Sequence, residues 1–455
     1  MRSSVTGFVG DTLWVAVELE SNSAFQRRFS RLAATNVVAT LMVPLAGLID
    51  VAFLGHLDDI RYLAGVALAA VLFDTIFWLF GFLRMGTTGM TAQAKGRGDQ
   101  DEVFRLFLRA GSLAIGLGVA ILLLQWPLRE AGFWLLQGTE VVEAAGRDYW
   151  EARIWAAPFT LAGFVFLGWF LGQERGGLVL LLSAVANLTN VALDYYFIVV
   201  EGKGAWGAGM ATALSQVTMC GVAFVITLKH VPRLWSLRHG VLARDKMRSL
   251  LLINRDLMLR TLALLLTFAA FTNLGSIMGT TVLAANAVLM KVQLLASYVV
   301  DGLAYATEAM AGVYFGQGRR SELKRLVVLA SKWAVAVGTG VAIAFAVQPD
   351  VLYGLLTVHD EVLQRLRHDT LWLLPILSVG SVAFILDGYF IGLTRGGVLL
   401  RSMLIASGLG FAPLAVAAWY WSSPQLLWAA MTAWMFIRTL TLMREAPKTW
   451  SDSDL

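Results

Sequence analysis

The chain alternates between long apolar runs and short polar loops. A run of about 20 apolar residues is long enough to cross the hydrocarbon core of a bilayer as an α-helix. Twelve such runs are present, near 31–55, 61–94, 106–126, 144–172, 178–200, 207–228, 250–278, 282–315, 325–347, 365–393, 398–419 and 424–443. The pattern therefore predicts an all-α integral membrane protein with twelve transmembrane helices embedded in the lipid bilayer.

The composition supports this fold class. Hydrophobic residues make up 58% of the 455 positions and charged residues 15%, whereas soluble domains carry roughly 25% charged residues. Sixteen Trp and 25 Phe supply the aromatic side chains that are typical of membrane interfaces. The single cysteine, Cys220, excludes an internal disulfide and a cysteine metal cluster, so we expect it to serve packing only.

Basic residues are concentrated in alternate loops. One set of loops carries clusters of Lys and Arg, at 27–31, 95–105, 175, 229–248, 319–325, 395–401 and 444–448. The loops between them carry few basic residues. By the positive-inside rule both termini are predicted to be cytoplasmic, in the cell's inner membrane, which requires an even number of spans. The net charge of +5 then reflects the basic residues of the cytoplasmic loops, which set the orientation of the protein in the membrane. It does not indicate a nucleic-acid partner.

An internal repeat with an offset of 220 residues relates the two halves of the chain. GWFLGQERGG, which begins at Gly168, matches GYFIGLTRGG, which begins at Gly388, and the same offset pairs Gly96 with Gly316. The register holds without gaps from about residue 55 to residue 432. It predicts two homologous six-helix lobes. Because six is even, both lobes insert in the same direction, with a pseudo-two-fold axis along the membrane normal, as in parallel-repeat secondary transporters.

The repeat also sets the predicted domain boundaries. The chain divides into an N-terminal extension (1–25), an N-lobe (26–228), a basic cytoplasmic linker (229–249), a C-lobe (250–446) and a cytoplasmic tail (447–455). The apolar part of the extension is too short to span a bilayer and is interrupted by Asp11, so we expect an interfacial helix or a disordered segment there.

Where two positions related by the repeat carry different residues, the shared fold does not require either residue. Asp50, in the middle of the first span, corresponds to Ala270, and the fifth span carries Asn187, Asn190 and Asp194 on one helical face. An ionisable group at membrane depth costs roughly 2.5–3.5 kcal/mol on insertion scales and marks an ion path or a substrate contact. Two buried carboxylates close together would hold a shared proton or a small cation. Alternatively, the amides only join neighbouring helices.

A second set of charges at membrane depth could line a substrate cavity or form a gate. Its members are Asp74, Arg84, Arg255, Arg260, Lys291, Asp301, Glu308 and Asp387. An arginine of the seventh span paired with Glu308 or Asp387 would lock the cytoplasmic helix ends, and the same residues could contact substrate. We favour the locking role.

Several motifs resemble the multidrug and toxic compound extrusion (MATE) family, in particular the branch of the DNA-damage-inducible protein F. They include VPLAGLIDVAFLGHL from Val43, NLTNVALD from Asn187 and DGLAYATEAMAGVYFGQG from Asp301, within a resemblance that covers residues 27 to about 445. The resemblance implies a monomer that exports cationic or amphipathic small molecules. Export would be coupled to inward flow of protons or sodium. From the sequence itself we expect no cofactor and no metal.

The resemblance also implies roles for particular residues. The family's cation site in the N-lobe matches Asp50, Asn190, Asp194 and Thr212, in agreement with the acid–amide set found above. In one departure, Thr35 stands where the family commonly has a proline, so Pro44 is the candidate hinge of the first helix. Protonation of the two carboxylates from outside would then release the drug.

Three alternatives follow from the sequence. A sodium-coupled drug antiporter would use the same site. A lipid-linked oligosaccharide flippase of the same superfamily would need several Lys or Arg residues at mid-depth, where the N-lobe charges are mostly acidic apart from Arg84. A membrane enzyme would need a catalytic cluster, and the sequence contains none. A proton-coupled exporter is therefore the favoured interpretation.

Overall fold

The computed structural model describes residues 21–57, 59–230, 236, 241, 243–357 and 359–450. Most of the predicted N-terminal extension, part of the linker and the last five residues of the tail lie outside the described residues. The domain boundaries remain predictions.

Twelve helices in the described ranges are long and apolar enough to cross a membrane, which confirms the predicted fold class. They are α1 (Asn22–Gly55), α2 (Ile60–Gly96), α3 (Gln100–Leu123), α4 (Glu140–Gly172), α5 (Gly176–Val200), α6 (Gly204–Thr227), α7 (Arg244–Ile277), α8 (Thr280–Gly316), α9 (Arg320–Val347), α10 (Asp360–Gly392), α11 (Gly396–Tyr420) and α12 (Pro424–Thr449). Below, α1 to α6 are called the N-lobe and α7 to α12 the C-lobe.

The 220-residue repeat extends to the backbone conformation. α2, α4 and α5 begin 220 residues before α8, α10 and α11, respectively. Gly98 and Gly318 have φ values of 75° and 72°, and Glu174 and Thr394 have φ values of 59° and 55°. Positive φ is uncommon for residues other than glycine, so its recurrence at repeat positions indicates that the two lobes use the same turns.

The fifth helix departs from this symmetry. It is α-helical over Gly176–Asp194 and continues as π-helix over Tyr195–Val200. In α11 the π-helical turn lies over Ala406–Phe411, which is not the repeat position of the turn in α5. Because π-helical turns are frequent at functional sites, the change of helix type directly after Asp194 draws attention to that residue.

The two lobes pack closely at the end of the bundle where α1 begins and α12 ends, here called the terminus side. A Cβ atom built on Gly96 of α2 would lie 2.3 Å from the carbonyl oxygen of Val313 in α8. One built on Gly316 would lie 2.2 Å from the carbonyl oxygen of Gln93. The Gln93 side chain also donates a 3.0 Å hydrogen bond to the carbonyl of Gly392 in α10. Glycine permits this approach of the backbones, and it closes the lobes together on the terminus side.

On the opposite side, charged side chains of the two lobes are exposed at membrane depth. Asp74 of α2 and Lys291 of α8 are both exposed although they lie well inside their spans. The Asp74 carboxylate is within electrostatic range of Lys291 and of Arg153 in α4. Charged groups in the middle of a span almost always face the bundle interior or a water-filled cavity. Their exposure therefore indicates an aqueous cleft between the lobes, which opens away from the termini.

A short helix on that opposite side, Gln125–Leu136, is tied to α4 by ion pairs. Arg147 donates hydrogen bonds of 2.6 and 2.9 Å to the Glu130 carboxylate, and Arg129 donates one of 3.0 Å. These bonds, those from Arg147 above all, lower the pKa of Glu130 from 4.5 to about 2. The carboxylate is 53% exposed, so its contribution to stability is small.

The lowered pKa predicts how this ion pair responds to acid. A carboxylate whose pKa is lower in the folded state stabilises the fold above its unfolded-state pKa and loses that contribution as the pH falls through the folded-state value. The difference in unfolding temperature between the native protein and Glu130→Gln should therefore be constant from neutral pH to about pH 5. It should disappear near pH 2. A difference already lost at about pH 5 would contradict the assignment.

Candidate cation and substrate site

Two carboxyl groups meet between α1 and α5. Asp194 is fully buried and Asp50 is half-buried. The two groups are close enough for a proton on one to be shared with the other. Within the described residues, no donor reaches either oxygen of Asp194 or Oδ1 of Asp50. Because two carboxylates both accept hydrogen bonds and neither donates, a proton or a small cation between them would satisfy both.

Asn190 belongs to the same face of α5, one turn before Asp194. Its side chain is buried, and its Nδ2 has no acceptor among the described residues. Asn187, one turn further back, donates a 2.7 Å hydrogen bond to the Ser183 carbonyl of its own helix. The structure therefore leaves Asn190 available to a ligand, whereas the Asn187 amide is engaged locally.

Two residues of α4 that sequence reasoning missed complete this region. Arg153 donates a 2.7 Å hydrogen bond to the Tyr149 hydroxyl and interacts electrostatically with Asp50. The Tyr149 hydroxyl lies beside Thr212 of α6, whose own hydroxyl donates to the Ala208 carbonyl at 3.0 Å. Position 373, the repeat partner of Arg153, is a leucine. The comparison of the lobes that singled out Asp50 could therefore have found Arg153 as well.

The charges in this region do not balance. Asp50, Asp74 and Asp194 contribute three carboxyl groups, and Arg153 is the cation of the N-lobe within electrostatic range of the first two. Lys291 approaches Asp74 from the C-lobe. With all carboxyl groups ionised, the N-lobe side of the cleft is negative, which favours a cation over an anion.

The C-lobe, together with Arg84 of the N-lobe, holds a different, balanced network. Arg260 of α7 and Arg438 of α12 both donate hydrogen bonds to the buried Asp387 carboxylate of α10. Arg84 of α2 pairs with Glu308 of α8 at 3.3 Å. The network thus joins both lobes through side chains that are almost fully buried.

Asp301 is the third acid of this network. It lies within electrostatic range of Arg84, Arg260 and Arg438, so three arginines face three carboxylates. Arg438 is a third residue that sequence reasoning missed, although its repeat partner, Thr218, is uncharged and the lobes therefore differ at this position. The balance of charge is typical of a structural or gating network rather than of a cation site.

Arg255 lies apart from this network. Its side chain is 59% exposed and donates a 2.8 Å hydrogen bond to its neighbour Asp256. Of the two arginines of α7 considered from the sequence, Arg260 is the one that pairs with Asp387.

A contact between the lobes adjoins the candidate hinge in α1. Thr40 Oγ1 donates a 2.7 Å hydrogen bond to the carbonyl oxygen of Tyr298 in α8. Pro44, four residues further along, has no backbone N–H to donate to the Thr40 carbonyl. Helices bend most readily at such a position, so Pro44 remains the predicted hinge, directly beside a contact between the lobes.

These features define a class of protein. Two repeated six-helix lobes enclose a cleft, and unpaired carboxyl groups at membrane depth lie on one side of it. This is the architecture of a secondary membrane transporter.

The comparison with known proteins identifies the family. The MatE family model matches the chain twice, over residues 36–196 and 257–416, once in each lobe. The chain is 33% identical over 422 residues to the DNA damage-inducible protein F of Escherichia coli strain K12, which covers 92% of this chain and 91% of that protein. The chain therefore belongs to the MatE, or multidrug and toxic compound extrusion, family, in the branch of that protein.

More distant similarities agree with this result. The chain is 26% identical over 402 residues to a probable multidrug resistance protein NorM of Rhizobium meliloti strain 1021, over 82% of each protein. It resembles the fold of an outward-facing multidrug resistance transporter of the MATE family with a TM-score of 0.84, over 93% of this chain and 95% of that one, at 19% identity.

Family membership confirms the coarse predictions made from the sequence. The protein is a multi-pass membrane transporter for the efflux of small molecules, and its relatives are transporters rather than enzymes. The coupling ion, the charge of the substrate and the roles of individual residues are taken up below.

Proposed function

We propose that this protein exports cationic or amphipathic small molecules in exchange for protons that enter the cell. The observation that carries the proposal is the buried pair of Asp50 and Asp194, whose carboxyl groups adjoin each other without a donor from the described residues. Such a pair takes up a proton readily and releases it when a cation competes for the same negative charge. Asn190 and Thr212 would orient the ion, and Asn187 would act only through the backbone of α5.

The negative charge of the cleft supports a cationic substrate. In the ionised state the three N-lobe carboxyl groups attract a cation through the opening between the lobes. Protonation of the pair from outside removes that attraction, so the drug leaves and the proton is carried inward. The membrane potential assists this import by about 2.3 kcal/mol per charge per 100 mV.

Protons are favoured over sodium as the coupling ion. A hard metal cation binds through several oxygen ligands, whereas within the described residues no third His, Cys, Asp or Glu joins the pair to form a metal-binding group. A single proton satisfies two carboxylates without further ligands. Sodium coupling remains the second candidate, because Asn190 has an amide oxygen to offer.

The charge distribution argues against the flippase alternative. A lipid-linked anionic headgroup would need positive charge in excess at mid-depth. Arg84, Arg260 and Arg438 are instead matched by Glu308, Asp387 and Asp301, which leaves no cationic surplus among these residues.

The experiment that tests the proposal is transport by the purified protein in proteoliposomes. An imposed pH gradient should drive uptake or efflux of a cationic dye, and a sodium gradient at equal pH on both sides should not. Transport driven by sodium alone would contradict the proton as the coupling ion but would still support a drug exporter. Movement of a lipid-linked oligosaccharide, with no dye transport, would overturn the substrate class.

The proposal includes an orientation and a state. With both termini in the cytoplasm of the inner membrane, closure on the terminus side and the open cleft opposite correspond to an outward-open transporter that works as a monomer. Closure depends on the glycine contact between α2 and α8, where a side chain at Gly96 would overlap the Val313 carbonyl.

Substitution of that glycine should shift the transporter away from the outward-open state. Overpacking typically costs about 1–3 kcal/mol, so Gly96→Leu should change the ratio of the two states roughly 5- to 150-fold. The measurement is the rate at which a reagent on the cytoplasmic side alkylates a cysteine introduced at position 93 (Gln93→Cys), with the native cysteine removed (Cys220→Ser). Gly96→Leu should raise this rate by a corresponding factor. Gly177→Leu is the matched control, since a Cβ at Gly177 meets no atom within 4 Å. Equal alkylation rates in both variants would show that the contact does not control closure.

A further inference from the structure

A groove on the terminus side lies between helices of different lobes. It is formed by the first turns of α1 and the first three turns of α9, and it encloses about 350 Å³. Its lining comprises Asn22, Phe25, Gln26, Ser321, Lys324, Arg325, Val328, Leu329 and Lys332. This α1–α9 groove is remote from the carboxyl pair, and nothing in the proposed transport cycle uses it.

The groove is basic. Lys324 and Lys332 are exposed, and no carboxylate pairs with either of them in the part of the chain that the structure describes. Arg325 lies 4.1 Å above the ring of Phe25 and donates a 2.7 Å hydrogen bond to Asn22 across the lobe boundary. It also pairs with Glu322 at 3.2 Å. The two lysines therefore leave positive charge in excess, which an anionic ligand would neutralise.

The depth of Lys332 indicates where that ligand resides. Lys324, Val328 and Lys332 are spaced four residues apart, so they share one face of α9. At a rise of 1.5 Å per residue, Lys332 lies roughly 12 Å deeper along the helix than Lys324. A lysine at that depth extends its ammonium group back toward the membrane boundary. The Lys332 ammonium would thereby approach the level of the phospholipid headgroups, where the Lys324 ammonium lies 5.7 Å from the centre of the Trp450 ring.

An apolar surface continues from the basic end of the groove. Val328 and Trp333 of α9 are 44% and 43% exposed. The Trp333 ring packs edge-on against Phe29 of α1, with 6.0 Å between ring centroids. A phosphate held by the lysines would place its acyl chains along these side chains, whereas a soluble phosphate would gain nothing from them.

The repeat indicates that this groove is not a requirement of the fold. The N-lobe positions that correspond to Lys324 and Lys332 are Phe104 and Ser112, although Arg325 corresponds to Arg105. The basic character is therefore specific to the C-lobe half.

We propose that the α1–α9 groove binds the headgroup of an anionic phospholipid. Because α1 and α9 belong to different lobes, the bound headgroup bridges the lobes on the terminus side. It therefore stabilises the arrangement in which that side is closed. Basic residues near a membrane surface each contribute about 1 kcal/mol toward anionic lipid, which is roughly a fivefold change in affinity.

The test is lipid binding by the full-length protein, independent of transport. Native protein in nanodiscs of phosphatidylglycerol should retain this lipid in native mass spectra and unfold at a higher temperature than in phosphatidylcholine. Lys324→Gln with Lys332→Gln should weaken retention roughly 25-fold, fivefold for each lysine, and remove the stabilisation. Arg105→Gln, the change at the N-lobe counterpart of Arg325, should behave as the native protein.

Several outcomes would overturn the proposal. One is equal retention of phosphatidylglycerol by the double variant; another is equal stabilisation by phosphatidylcholine. Stabilisation by inorganic phosphate alone would point to a soluble anion. A lipid effect that arises only after residues 2–20 or 451–455 are deleted would mean that the chain's own ends occupy the groove. As a control for folding, the double variant and the native protein should unfold at the same temperature in phosphatidylcholine.

Discussion

Replacement of Asp50 by asparagine is expected to abolish dye transport driven by a pH gradient, with a loss of at least about tenfold, or ~1.4 kcal/mol of coupling. Asparagine has the shape of aspartate but cannot take up or release a proton. Its amide can donate a hydrogen bond to Asp194, whose oxygens have no donor among the described residues. The variant should therefore fold normally and remain in a state that resembles the protonated pair.

A second measurement separates loss of coupling from loss of the binding site. In the native protein a cationic drug and a proton compete for the pair, so drug affinity should fall with acidity by roughly tenfold per pH unit for each proton displaced. In Asp50→Asn that slope should be smaller. Asp350→Asn is the control, because this exposed carboxylate pairs with Arg367 on the side opposite the termini. It should retain both dye transport and the native dependence of drug affinity on pH. Unchanged transport in Asp50→Asn would remove Asp50 from the ion path.

The largest effect on stability is expected from Asp387→Ala. The carboxylate accepts hydrogen bonds from two buried arginines, Arg260 and Arg438, and its removal leaves both cations without their partner. Breaking a buried ion pair by removal of one partner costs roughly 3–5 kcal/mol. The variant should unfold at a markedly lower temperature and accumulate poorly in the membrane.

Compensating changes test whether the cost comes from uncompensated charge. Replacement of a buried ion pair by apolar residues of similar volume is often neutral. Asp387→Leu combined with Arg438→Met should therefore recover part of the stability that Asp387→Ala loses, although Arg260 would still lack its partner. Equal instability of both variants would indicate that packing around α10, rather than charge, sets the cost.

Much of the fold could be predicted from local patterns. Hydropathy depends only on the composition of each run, so the twelve spans agree with the structure to within a few residues at most ends. The larger differences lie where helices project beyond the apolar run, as at the start of α7. The repeat could be read directly because the two lobes have kept the same spacing, as between Gly168 and Gly388.

The candidate site was predictable only in part. Helical spacing placed Asn187, Asn190 and Asp194 on one face of α5, but spacing cannot tell which amide bonds to its own backbone, as Asn187 does. Arg153 and Arg438 differ from their repeat partners, so a fuller comparison of the lobes would have singled them out. Such a difference still does not tell which neighbouring helix a side chain faces.

The arginines of α7 illustrate the same limit. Arg255 and Arg260 are five residues apart and therefore point about 140° away from each other around the helix axis. The sequence allowed either one to pair with an acid of the C-lobe. Because α10 and α12 pack against the face of α7 that carries Arg260, it is Arg260 that pairs with Asp387.

The amino-acid sequence alone sufficed for the class of protein, the number of spans, the repeat and the unmatched carboxylates at membrane depth. Each of these depends on residues close together in the chain or on a constant offset. Asp50 and Asp194 are separated by most of the N-lobe, and the balanced C-lobe network draws residues from α2, α7, α8, α10 and α12. Whether such groups meet depends on the rotation and separation of whole helices, which tertiary packing decides.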